Sequence, residues 1–62
     1  MRIKFFREKK DMSQEALAEQ LSVDRTTITK WETGVAMPRA DKLPEIARVL
    51  GCEVSDLFAK EG

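Results

Sequence analysis

The residues of this chain with chemistry to offer are hydrogen-bond donors rather than catalysts. Arg25, Thr26, Thr27, Thr29 and Lys30 lie close together, with no carboxylate between Asp24 and Glu32. Arginine and lysine donate to guanine O6 and N7, and threonine methyls pack on thymine methyls, so the cluster can read base-pair edges. Three threonines lower helix propensity, and an ordinary solvated helix more often carries Glu–Lys pairs. The remaining groups offer less. There is no histidine and no tyrosine, Cys52 is the single cysteine, and no glycine-rich phosphate loop occurs. Glu15 and Glu19 stand one helical turn apart, but a chain of 62 residues has little room for a cleft around them. No enzymatic activity, no metal site and no cofactor is expected. Cys52 reads as a small, half-buried apolar residue beside Gly51.

The elements that must position the cluster are helical. Apolar residues recur at helical spacing from end to end, and no stretch alternates long enough for a strand. Five short helices are expected. The first runs from about Ile3 to Lys10, with Ile3 and Phe6 inward and Phe5 outside that stripe. The second opens at the N-cap Ser13, with Glu15 suiting the positive helix start, and buries Leu17, Ala18 and Leu21. Asp24 is the expected N-cap of the third, Arg25 to about Thr33, which turns Ile28 and Trp31 inward and ends at Gly34. The fourth starts near Asp41 and ends before Gly51. Its Pro44 is tolerable only in the first turn, and Leu43, Ile46, Ala47 and Leu50 form its stripe. A last turn, about Val54 to Phe58, has an unclear entry because Glu53 is a poor N-cap.

Between the second and third helices stand only Ser22 and Val23 before the Asp24 cap, a connection short enough to force a steep crossing. Ala18, small and at the crossing, lets the third helix approach closely. Residues 14–33 therefore read as a helix-turn-helix whose outward face is the cationic, hydroxyl-bearing cluster.

Charge is balanced overall, with 11 basic and 11 acidic residues, but unevenly spread. Residues 2–10 carry net +4, 11–23 net −3, 24–42 net +1 and 43–62 net −2. A dipolar domain of this kind can still present a positive face. No segment approaches the roughly 18 apolar residues that span a bilayer. The basic start, Met1 to Arg7, lacks a signal-peptide apolar region. A cytoplasmic protein without a membrane partner is expected, built as a single domain over residues 1–62.

Ser13 to Ala18, Val23 to Ile28, Trp31 to Gly34 and Pro38 together resemble the Xre-type family that includes Cro and the phage repressors. The resemblance covers about Ile3 to Phe58. It implies an all-α, five-helix, lambda-repressor-like domain whose third helix enters the major groove. By the same resemblance, Gln14 touches the phosphate backbone and steadies the recognition helix. Arg25, Thr26 and Lys30 face bases, and Thr27 and Thr29 sit at the groove wall. Arg39 approaches neighbouring phosphates or the minor groove. Arg7 and Glu32 match a salt-bridged pair that ties the first helix to the end of the third.

Three positions depart from the family pattern. Ser22 stands where glycine is usual, at a cost on the order of 1 kcal/mol if the backbone there needs positive φ. Glu53 replaces the usual serine or aspartate cap. The loop Val35-Ala36-Met37 lacks the lysines often found there, which favours a shallower salt dependence. Plainer readings also stand. Trp31 is a core anchor and Asp24 mainly a cap. Gln14 can be an ordinary first-turn residue, and Arg39 and Lys42 can simply be solvated. Met37 either caps the core or lies in a subunit interface.

The expected function is sequence-specific binding of double-stranded DNA by a transcriptional regulator, a repressor acting by occupancy of a palindromic operator as a homodimer. Leu57, Phe58 and Met37 are candidates for the dimer contact, and Arg48 and Asp56 for the subunit or polymerase side. With no second domain in view, no small-molecule effector is expected. The alternative is a protein-interaction module, such as the antitoxin of a toxin pair. A salt titration separates the two, because DNA affinity falls steeply with salt.

Overall fold

A computed structural model of the chain describes residues 1–58, so the last four positions of the expected 1–62 domain lie outside the described residues. Its helices are α1 (Ile3–Lys9), α2 (Gln14–Leu21), α3 (Arg25–Thr33), α4 (Leu43–Leu50) and α5 (Val54–Leu57), and no strand occurs among the described residues. All five contribute to one core. Ile3 of α1, Leu17 and Leu21 of α2, Ile28 of α3, Ile46 of α4 and Leu57 of α5 are fully buried. Each such side chain contributes roughly 1.5–3 kcal/mol of hydrophobic stabilisation. Ala18, Ala47, Leu50 and Trp31 complete the set, so Trp31 is the anchor its spacing implies.

The closest partnership is between α2 and α3. Ser13 caps α2 as expected, its hydroxyl accepting from the Ala16 amide at 3.0 Å. At the turn Ser22 takes the left-handed conformation, φ 57° and ψ 43°, and the Val23 amide closes back on the Ala18 carbonyl at 3.0 Å. That is a Schellman-type end, and it recurs. Asp11 (φ 54°) precedes a Met12 to Arg7 bond, Gly34 (φ 81°) a Val35 to Lys30 bond, and Gly51 (φ 71°) a Cys52 to Ala47 bond. At Gly51 the positive φ is what favours glycine, since the only atoms a Cβ would meet belong to the flexible end of Lys10.

Several expectations shift. Asp24 occupies the N-cap position of α3, but its side chain accepts no cap bond; the Thr27 amide donates instead to the Asp24 carbonyl at 3.0 Å. The segment from Ala40 to Lys42 is a turn, so α4 starts at Leu43 rather than near Asp41, with Pro44 in its first turn. The entry to α5 is anchored from inside. Asp56 turns back to accept from the Glu53 amide at 2.9 Å, so a glutamate serves where a cap looked poor. The helix ends at Leu57 and leaves Phe58 49 % exposed. Leu57 is fully buried in the core, which removes it from the candidate dimer contacts. Met37 is 61 % exposed and does not cap the core.

Candidate nucleic-acid interface

With Ile28 and Trp31 pointing into the core, the helical repeat of α3 turns Arg25, Thr26, Lys30 and Thr33 to solvent and leaves Thr27 and Thr29 half-buried. The polar groups of this surface divide into committed and uncommitted. Thr33 returns its hydroxyl to the Thr29 carbonyl at 2.8 Å, and Thr29 has the Arg25 carbonyl within 3.3 Å, the back-bonding by which threonine satisfies itself in a helix. The side chains of Arg25, Thr26 and Lys30 make no hydrogen bond or ion pair among the described residues. They form the uncommitted donor set, and no carboxylate interrupts them.

Behind α3 lies a polar network that fixes its angle. Arg7, buried on α1, donates from Nε to Glu32 Oε2 at 2.7 Å and from Nη2 to Glu32 Oε1 at 3.1 Å. Its Nη1 donates to the Met12 carbonyl at 2.8 Å, tying the pair to the α1–α2 turn. The Glu32 hydrogen bond holds the Arg7 guanidinium above its ordinary pKa against the burial that would lower it, so it stays charged. The Glu32 side chain is 3 % exposed and takes a further bond, from Gln14 Nε2 at 2.9 Å. Gln14 Oε1 in turn accepts from Thr29 Oγ1 at 3.2 Å. Such a buried pair orients more than it stabilises, because desolvation offsets much of its attraction.

Of the residues singled out from sequence, Gln14, Arg25, Thr26, Thr27, Thr29 and Lys30 therefore gather on α3 and the start of α2, with Arg7 and Glu32 beneath them. Arg39 is exposed on the loop between α3 and α4. Three contacts escaped the sequence. The bonds of Gln14 to both Glu32 and Thr29 had no signal beyond the Arg7–Glu32 pairing itself. Lys42, for which simple solvation was one open reading, donates from Nζ to the Leu21 carbonyl at 3.3 Å and caps the end of α2.

A short helix packed on its neighbour through a tight left-handed turn, with cations and hydroxyls outward, defines the helix-turn-helix class of DNA-binding module. Residues 3–57 match the family described as Helix-turn-helix, and the chain belongs to it, in its Xre/Cro-like branch of transcriptional regulators. It is 40 % identical over 52 residues to the HTH-type transcriptional activator BcrR of Enterococcus faecalis, covering 84 % of this chain but 26 % of that protein. It is 42 % identical over 57 residues to each of two HTH-type transcriptional regulators of Archaeoglobus fulgidus, covering 92 % of this chain and 80 % and 81 % of theirs. The chain thus spans about a quarter of the activator and four-fifths of the archaeal regulators. No helix among the described residues is long and apolar enough to cross a membrane.

Proposed function

We propose that this chain is a sequence-specific reader of double-stranded DNA that regulates transcription from the cytoplasm, with α3 in the major groove and a homodimer on a palindromic operator. The observation that carries this reading is the exposed, uncommitted trio Arg25, Thr26 and Lys30 on a helix braced from behind. Arg25 or Lys30 reads a guanine and Thr26 a thymine methyl. Thr27 and Gln14 face the backbone, and Arg39 approaches the neighbouring phosphates.

One copy presents one α3, whereas half-sites one helical turn apart lie ~34–36 Å from each other. One copy reaches one half-site. With Leu57 withdrawn into the core, the exposed apolar residues Phe58, Met37, Val35 and Phe5 are the candidates for subunit contact. Regulation follows from occupancy, as a repressor where the operator overlaps the polymerase site. The activator name of one relative supports the opposite sign where the operator lies upstream.

Selection of bound sites from random duplexes tests the proposal. The expected outcome is two related half-sites about 10 base pairs apart, with affinity falling steeply as salt rises. Arg25→Ala should then lose about 1–3 kcal/mol at one base pair of each half-site. No enrichment, together with salt-independent binding to a protein, would favour an interaction module instead.

A further inference from the structure

Thr29 is a candidate groove-wall contact by resemblance, yet its surroundings describe a different task. Its residue is half-buried, and its hydroxyl points at Gln14 Oε1, 3.2 Å away. The orientation of the Gln14 amide is not arbitrary. Glu32 can only accept, so the Gln14 NH2 group must face it, at 2.9 Å, and the amide oxygen must face Thr29. The Glu32 carboxylate is itself held by two bonds from Arg7. One Gln14 N–H remains after Glu32 is satisfied, and its direction is set by the two partners that hold the amide plane.

We infer that Thr29 is a positioning residue, acting on DNA through Gln14: its hydroxyl and the Glu32 carboxylate clamp the amide so that the remaining N–H is aimed at a backbone phosphate. This rests on the DNA-reading function proposed above. The Thr29 proton has a second acceptor, the Arg25 carbonyl at 3.3 Å, which lies within α3 and survives the loss of Gln14. The two routes therefore separate in a double-mutant cycle.

The experiment titrates a selected duplex with wild type, Thr29→Val, Gln14→Ala and the double variant, with Thr29→Ser as the conservative rescue and thermal unfolding as the check on folding. Thr29→Val should weaken binding by roughly 2- to 10-fold, the range of one lost hydrogen bond. In the Gln14→Ala background the same change should cost less than about 2-fold, and Thr29→Ser should bind like wild type. In the free protein, Thr29→Val should shift the Gln14 side-chain amide protons in the NMR spectrum. Equal losses in both backgrounds, or unmoved Gln14 amide protons, would overturn the inference while leaving the DNA reading intact. Failure of the wild type to bind any duplex would overturn the DNA reading, and the inference with it.

Discussion

Ser22 holds φ 57° without being glycine, the most strained backbone position on the path between α2 and α3. A side chain in the left-handed region costs roughly 1 kcal/mol, and Ser22 is exposed, so its hydroxyl has water in place of a buried partner. Ser22→Gly should stabilise the protein by about 0.5–1 kcal/mol in urea unfolding, with DNA affinity unchanged. A loss of stability would mean that the serine side chain supports the turn. Cys52 makes a second residue-scale prediction. Burial first, then the nearby Asp56 and Glu53 carboxylates, push its thiol pKa above the ordinary value. A raised folded-state value favours the neutral thiol, so its contribution is complete below the ordinary thiol range and is lost as pH climbs through the raised value. Wild type should therefore lose stability relative to Cys52→Ala as pH rises through and past the ordinary thiol range. A flat difference across that window would contradict the half-buried thiol.

Among the elements, the bracing of α3 by α1 matters most. Arg7→Met would strand the Glu32 carboxylate, 3 % exposed, with only the Gln14 amide for company. Removing one partner of such a pair costs about 3 kcal/mol, whereas replacing both by apolar groups is often neutral. Arg7→Met should thus be strongly destabilised in urea, and Arg7→Met with Glu32→Leu should recover most of the loss. The recovered double variant should still bind DNA more weakly than wild type, because Gln14 has lost its anchor. A double variant as unstable as the single one would show that the pair contributes net stability rather than orientation.

The helices also show what could be read in the sequence and what could not. Apolar spacing located all five, because each buries a stripe whose period is that of the helix. The helix ends were legible where glycine marked them, at Gly34 and Gly51, and near Lys10, although no glycine there signalled the left-handed closure that Asp11 makes. The start of α5 at Val54 was legible, but its entry was not, because Asp56 anchors it by accepting from the Glu53 amide. At the site, the uncommitted trio was visible as a run of donors without an acid. The Gln14 bridge was hidden, since it depends on where two helices cross and not on spacing within either.

For the molecule as a whole, each helix buries one stripe in the shared core, and α3 turns an uncommitted donor set outward. Opposed to Arg7 on α1, Phe5 is 42 % exposed beneath the Arg2 guanidinium, which lies 4.0 Å from its ring centroid. Such apolar surface is spread over α1, the α3–α4 loop and the end of α5, so the recognition face itself contains no exposed large apolar side chain. That division suits a protein that meets DNA with polar groups and leaves other faces for its own kind. Its most direct test is amide shift mapping of the nitrogen-labelled protein with a selected duplex. The account predicts the largest changes at Gln14 and from Arg25 to Lys30, with α5 nearly silent. Changes concentrated on α1 and α5, with α3 unmoved, would contradict it.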